Sequence, residues 1–513
     1  MTTAAESEAR DDVVRHLEVR PGAYHDSVTL MVVSQEVARG PGVRTALIAM
    51  ATPLNLELLE QAGFDAGEAG PNDLVVALAA DDADHLAAAR TAVDTQLTQA
   101  SAGGGSDGLA DTGEAPRTLG SATRALGAGL ALVTVPGQYA FTEAMDALRA
   151  GANVMVFSDG VPLEQEIALK AEARQRDRLV MGPDCGTAIV GGVGLGFANV
   201  MRPGPVGMVA ASGTGAQQVC SLLDAAGVGV SHVLGVGGRD LSADVGGIAT
   251  IQALEALDAD PATEVIVLVS KPPDKAVAER IREAAEQCAT PVVLGLVGPG
   301  QRDLTEVAEA ALSTLGHDPQ PPRTWTPNRT VGSGYEVLRG LFAGGTLCDE
   351  SMAIAAERLG PIRSNVPLED DWALDPHEPL HGIEGAGHAM VDYGEDDLTS
   401  GRPHPMIDNT IRIDRLDAEA GSGHRVVVLL DVVLGHVAHP NPASELGPAI
   451  AEARTAARDA GGQFAAIVSL IGTRDDPQDL TRQAAELVDA GASIYLSNAA
   501  ATRAAVELLG ETR

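Results

Sequence analysis

Residues 205–240 read PVGMVAASGTGAQQVCSLLDAAGVGVSHVLGVGGRD. The apolar run Val206–Ala210 has the pattern of a buried strand. It stops at Ser212-Gly213-Thr214-Gly215, and a helical pattern follows over Ala216–Ala226. A second apolar run stops at Gly235-Val236-Gly237-Gly238-Arg239-Asp240. A strand that ends in small residues and opens onto a helix leaves backbone N–H groups bare at the positive end of a helix dipole. Such a turn suits an anion, most naturally phosphate. The plainer alternative is that Ser212 and Thr214 cap the helix and Gly237–Gly238 permit close packing.

The same alternation extends along the chain. Strands are expected over Val13–Val19, Val43–Ala51 and Asp73–Ala79, with helices over Ser27–Ala38, Pro53–Ala62 and Asp82–Leu97. They form a small N-terminal α/β domain, 1–98, with residues 1–11 frayed. Its loop Arg20–Ser27 sets Tyr24, His25 and Ser27 at a helix start, as a capping turn or a ligand site. Residues 99–116, QASAGGGSDGLADTGEAP, read as a flexible linker. A second α/β unit, 117–203, ends its last strand at the tight turn Gly182-Pro183-Asp184-Cys185-Gly186-Thr187. The unit around the opening stretch spans 204–316. Residues 317–330 read as a Pro-rich linker. The last unit, 331–513, is expected to hold helices at Gly334–Leu341 and Cys348–Leu359 and an irregular stretch over 360–400. It also carries a strand over Arg425–Val433 that ends at Gly435-His436.

Composition narrows the classes. The chain has 513 residues, enough for three or four domains, with 45% hydrophobic but only 3% aromatic residues. Its net charge of −36 argues against nonspecific nucleic-acid or anionic-membrane binding. The cysteines at 185, 220, 288 and 348 make neither a CxxC metal pattern nor a disulfide framework. No metal site is expected. With no signal segment or spanning apolar run, a cytoplasmic protein is expected. Lysine occurs only at 170, 271 and 275, so Lys271 after a buried strand stands out.

Several phrases together resemble a known family. Gly182-Pro-Asp-Cys-Gly resembles the GPNCPG loop of succinyl-CoA synthetase α chains, Ala211-Ser-Gly-Thr214 their SRSGT turn, and Gly235–Asp240 their GIGGDP turn. Pro405-Met-Ile-Asp408, Gly435-His436 and Val488–Gly491 resemble, in order, the FLD motif, GG turn and LADSG of the β chain. With Gly22–Ser27, Gly70–Asp73 and the GRPHPMIDNTIR phrase, the chain resembles the FdrA family over essentially its whole length. The resemblance implies a multidomain α/β fold. A Rossmann-like CoA-binding-type domain would precede two flavodoxin-like domains, α-like and β-like, without an ATP-grasp domain.

The resemblance also implies an activity. FdrA-like proteins of purine-ring catabolism are associated with oxamate carbamoyltransferase, which converts oxalurate and phosphate to oxamate and carbamoyl phosphate. The synthetase's phosphorylated histidine has no counterpart in Leu296-Val-Gly-Pro-Gly300, and the glutamate that orients it falls near Ser270-Lys271. No GxTGxxG loop follows the first strand. A phosphate cradle without a phosphohistidine therefore implies a diffusible phosphate or acyl phosphate. No cofactor is required, and CoA is left without its usual glycine loop.

In this reading Ser212, Gly213, Thr214, Gly215, Gly237, Gly238, Arg239, Asp408, Arg412, Gly435 and Arg474 hold phosphate or substrate. His404, His436 and Lys271 are the catalytic candidates. The Ser212–Gly215 and Gly435–His439 turns would face one anion from opposite sides. Asp408 and Arg412 would otherwise form a structural pair, and Cys185 a buried thiol. The expected partners are a carbamoyl or acyl phosphate, a carboxylate substrate, and further copies or transferase subunits. An acyl-CoA ligase needing a separate ATP-grasp chain, and a noncatalytic scaffold or sensing subunit, are the alternatives.

Overall fold

Four sheets organise the chain. They are seen in a computed structural model that describes residues 13–23, 25, 27–67, 69–70, 72–103, 116–327, 332–375, 387–399 and 402–510. Tyr24 and Asp26 of the expected N-terminal ligand loop lie outside the described residues. Two compact units result, Met1–Arg117 and Thr118–Arg513.

In the first unit the strand Leu74–Ala80 runs antiparallel between Val14–Arg20 and Val43–Met50. All seven of its residues are buried. One face meets the helices Ser27–Ala38 and Ala83–Gly103 through Leu30, Val37, Leu86 and Val93. The other meets Leu59 and Phe64. A strand covered on both faces is why LVVALAA shows no alternation. Asp73 ties two loops together by accepting the Gly22 and Gly70 amides, each at 2.9 Å. The helix continues to Gly103, through the first part of the stretch expected as linker. Residues 104–115 lie outside the described ones.

The second unit carries three sheets. Leu130–Val133, Asn153–Val156 and Val180–Met181 make a short parallel sheet. It closes at Met181, earlier than the expected boundary at 203. The hairpin Thr187–Val190 and Val193–Gly196 instead joins a six-stranded sheet, antiparallel to Val230–Gly235. The core strands of that sheet, Pro203–Ala210, Val230–Gly235, Val265–Ser270 and Val292–Leu296, are parallel. A seven-stranded sheet, parallel except for the edge strand Thr324–Trp325, forms the last layer. Part of the 317–330 stretch is therefore an edge strand rather than a free linker.

Two other expectations are corrected here. Gly334–Leu341 is not a helix, because Val337–Phe342 is a fully buried strand beside Arg425–Val433. The stretch 360–400 contains a buried strand, His388–Asp392, while 376–386 lie outside the described residues. His388 belongs to that strand and accepts the Leu338 amide through Nδ1. Burial, then the charge of Arg339, lowers its pKa.

Between the six- and seven-stranded sheets lies a shared helix layer. The helices Gly213–Ala225, Leu304–Thr314, Gly345–Leu359 and Asn498–Leu508 pack there, in one apolar core fed from both sheets. The Gly213 helix is buried from Gly215 to Asp224. A helix enclosed all round cannot show a one-sided stripe. Its polar residues are bonded accordingly: Gln217 donates to the Phe197 carbonyl, and Gln218 to that of Leu496. The α-like and β-like units thus meet within one chain.

Candidate functional site

Ser212 caps the Gly213 helix, its hydroxyl accepting the Gly215 amide at 2.9 Å. Gly215 must lack a side chain, since a Cβ would stand 2.6 Å from Ser212 Oγ and 2.8 Å from Val269 Cγ1. The same hydroxyl donates to Thr346 Oγ1 at 2.6 Å. Thr346 lies in the first turn of the Gly345 helix. The two helices therefore meet N-terminus to N-terminus. Gly213 and Thr214 on one side, and Gly345, Thr346 and Leu347 on the other, have amides with no protein acceptor among the described residues. A Cβ on Gly344 would stand 2.7 Å from Thr214 Oγ1.

The partner of the Ser212 turn is thus Gly344–Thr346, not Gly435–His439. The latter turn is already committed. The amide of Gly435 donates to Gln478, that of His436 to Ala198 and that of His439 to Met406. His436 is exposed beside Gly194 of the hairpin.

Lys271 stands beside the start of the Gly345 helix. A Cβ on Gly345 would stand 2.7 Å from Lys271 Nζ and 2.5 Å from Asp392 Oδ2. Burial alone would lower the lysine pKa, but the carboxylates of Asp349, Asp392 and Glu395 outweigh it and hold the ammonium charged. Its pair with Glu395, at 3.4 Å, is more than a third exposed on both sides. That contact adds little by itself. Burial raises Asp392 to about 7 and Asp349 to about 6, with Lys271 pulling both down. Asp184, in the Gly182–Thr187 turn, is raised to about 7 by desolvation and by Asp396 and Asp159.

His404 also borders the gap. Its Nδ1 accepts the Met406 amide at 3.2 Å, so the neutral ring carries its proton on Nε2. That nitrogen stands 2.9 Å from a Cβ built on Gly394, near Asp392 Oδ1. Burial, then Arg412, lowers its pKa to about 4. With its one lone pair taken by the Met406 amide, the neutral ring is placed as an N–H donor rather than as the acid/base expected of it.

Arg412 does not pair with Asp408. Its guanidinium bonds the Asp431 carboxylate at 2.8 Å and Asn409 at 2.7 Å, all buried. Asp431 in turn accepts the amides of Ala343 and Gly344, at 2.7 and 2.8 Å. Arg412 therefore braces the Gly344 turn from behind, while Asp408 accepts the Thr410 amide.

Arg239 is spent on Glu166 and the Val161 carbonyl. Gly237 touches the other loop: a Cβ there would strike the Pro183 carbonyl oxygen at 2.3 Å. The Gly235–Asp240 turn is held by buried Lys170, which bonds Glu166, Asp240 and the Val236 carbonyl. Arg474 lies at the far end of the Gly213 helix, its amide bonding Asp224. Eleven residues of helix put that end about 16 Å from Gly213. Cys185 is buried and pushed up to about 12 by desolvation, which makes it an inert thiol.

Comparisons with known proteins agree with this architecture. Residues 341–508 match the CoA-ligase family model, 201–295 the CoA binding domain model, and 13–112 the model described as AllF, heavy metal-associated domain. The CoA-binding match therefore falls on the sheet that carries Ser212, not on 117–203. The chain belongs to the family of the uncharacterized protein YahF of Escherichia coli (strain K12): the two are 35% identical over 504 residues, 94% of this chain and 96% of YahF. It is also 30% identical over 193 residues to the succinate–CoA ligase [ADP-forming] subunit alpha 1 of Archaeoglobus fulgidus, 36% of this chain and 65% of that subunit. A malate–CoA ligase subunit alpha of Methylorubrum extorquens is 27% identical over 210 residues, 39% of this chain and 69% of that subunit. The chain is a mixed α/β member of the succinyl-CoA synthetase-like superfamily. Among the described residues no helix is long and apolar enough to cross a membrane, and no group of His, Cys, Asp or Glu is placed to hold a metal.

Proposed function

We propose that the gap between the Gly213 and Gly345 helices holds the phosphoryl group of an acyl phosphate, in acyl transfer of the CoA-ligase type with ATP handled by a separate chain. The observation that carries this is the Ser212–Thr346 hydrogen bond, which sets two helix N-termini with spare amides around one point beside Lys271. Each dipole favours an anion by about 0.3–1 kcal/mol, and more when desolvated. The matches to CoA-ligase models and ligase α subunits support the reaction class. CoA would supply the accepting thiol.

In this reading the amides of Gly213, Thr214, Gly345, Thr346 and Leu347 and the Lys271 ammonium hold phosphoryl oxygens, and the Thr214 hydroxyl adds a donor. A second reading is the carbamoyl transfer associated with the FdrA family, with an amide as acceptor. It is favoured by the loop after Val292–Leu296, Val297-Gly-Pro-Gly300, which has no histidine to carry a phosphoryl group covalently. The test is titration of the full chain with inorganic phosphate, followed by phosphorus NMR. The chain is then offered acetyl phosphate with CoA, or carbamoyl phosphate with oxamate, with and without candidate partner chains. Saturable phosphate binding is expected. Its absence would sink both readings, and the acceptor that is consumed decides between them.

A further inference from the structure

One carboxylate at the start of the Gly345 helix has an unused oxygen. Asp392 ends the strand His388–Asp392 and is only 2% exposed. Its Oδ1 accepts the Gly394 amide at 2.9 Å. Its Oδ2 accepts no hydrogen bond among the described residues and is aimed at Gly345. That oxygen is not committed to the fold and is open to a proton or a ligand. The groups facing it come from every neighbouring element. They are Lys271 after the strand Val265–Ser270, Asp349 on the Gly345 helix, Glu395 in the following turn and His404 across Gly394. Of these, Lys271 holds its proton and His404 has none to spare. Burial raises both Asp349 and Asp392 towards neutrality, and of the two it is Asp392 that has an oxygen aimed at Gly345.

We propose, resting on the reading of the gap as a phosphoryl site, that Asp392 carries the proton of the transfer step through its free Oδ2. The accepting group attacks the acyl carbon as Asp392 takes the proton from its S–H or N–H. The bond from that carbon to the phosphate oxygen breaks, and its electron pair leaves with the phosphate. Asp392 then passes the proton to that oxygen. The products are the acylated acceptor and hydrogen phosphate dianion, with Asp392 again ionised. One bond to carbon forms, one breaks, and no oxidant or reductant is needed. The amides and Lys271 hold the leaving phosphate while the proton arrives, so the carboxylate and the donors divide the work.

The experiment is calorimetry of inorganic phosphate binding to the full chain, in two buffers of different ionisation enthalpy at pH 7.5. Wild type, Asp392→Asn and Asp392→Glu are compared. Inorganic phosphate, partly monoanion at pH 7.5, sheds protons when bound as the dianion, whereas a dianion next to Asp392 drives its protonation, so wild type is expected to show net proton uptake and the Asn variant net release. The Asn variant is expected to bind phosphate at least as tightly without that uptake, and the Glu variant to keep it. Transfer to the acceptor identified above is expected to fall about 10²–10⁴-fold in the Asn variant. It should also lose its pH dependence near 7 and recover in part with Glu. No phosphate binding by wild type overturns the reading of the gap. Binding with unchanged proton uptake or unchanged transfer in a folded Asn variant overturns the role of Asp392 alone. Wild-type binding without proton uptake does so too, even if the Asn variant does not fold.

Discussion

The Ser212 hydroxyl donates to Thr346 Oγ1 at 2.6 Å while accepting the Gly215 amide at 2.9 Å. One side chain thus caps one helix and fixes it to the start of another, 134 residues away. Ser212→Ala removes both bonds in a buried place. Loss of such a cap costs about 0.5–2 kcal/mol, and the stranded Thr346 hydroxyl adds about 1 kcal/mol more. Urea denaturation should show a loss within that combined range. Phosphate affinity should fall as the two N-termini separate. A variant with unchanged stability would mean that the helices are set by their apolar packing alone.

Arg412 and Asp408 offer a sharper contrast. Arg412 is buried against Asp431, which holds the Ala343 and Gly344 amides. Arg412→Ala leaves a buried carboxylate unpaired, at a cost of about 3–5 kcal/mol. Asp408→Ala removes only an acceptor for the Thr410 amide and should cost under about 1.5 kcal/mol. Melting curves of the two variants check the ranking. Equal losses would favour the structural pairing of Asp408 with Arg412 that the sequence offers as an alternative.

That contrast shows what could be read from the sequence. The Ser212 strand–turn–helix is legible because Val206–Ala210 carries no charged residue and the serine is a capping residue. Its partner was hidden by Val337–Phe342, where Arg339 and Gly340 interrupt the apolar run. Arg339 is buried because Glu419 pairs with it, at 3.1 Å, from a distant helix. Gly340 is required because a Cβ would stand 2.6 Å from Met390 Cγ. Neither compensation is local, so the segment looked helical, and Gly344-Gly345 went unrecognised as a strand end. Gly435-His436, at the end of the largely apolar run Arg425–Val433, is the more conspicuous strand end. Other regular elements are more legible: Ser27–Ala38 and Arg425–Val433 have the expected limits. Asp392 carried no motif, and its importance comes only from what folds against it.

The buried carboxylates make stability depend on pH in a definite direction. Asp349 has a folded pKa of about 6, mainly through burial, against about 3.9 when unfolded. The native state therefore binds more protons, and this contribution is lost as pH rises from about 4 through 6. Asp349→Asn stays neutral throughout. Its stability relative to wild type should rise with pH across that window and level off above about 7. Denaturation at pH 4.5, 6 and 8 checks this. His404 works oppositely: its folded pKa of about 4 lies below the unfolded value, so its contribution is lost as pH falls. Its presence in both proteins removes it from the comparison.

Lys271 and Arg474 separate a cation at the site from one that only looked available. Lys271 Nζ stands beside Gly345, while Arg474 lies by Asp224 at the other end of the Gly213 helix. The Arg474 backbone is held about 16 Å from Gly213, well over the Debye length of about 8 Å at physiological salt, and its side chain is exposed. Lys271→Ala removes the only side-chain cation at Gly345 among the described residues and leaves Asp349 and Asp392 facing any anion without compensation. Phosphate affinity is expected to drop at least about tenfold, equivalent to about 1.4 kcal/mol. Arg474→Ala should leave affinity unchanged within about twofold, close to the limit of detection by titration. The two variants, titrated with inorganic phosphate side by side, decide the location of the site. A larger loss from Arg474→Ala would move it to the opposite end of the helix, away from Ser212 and Thr346.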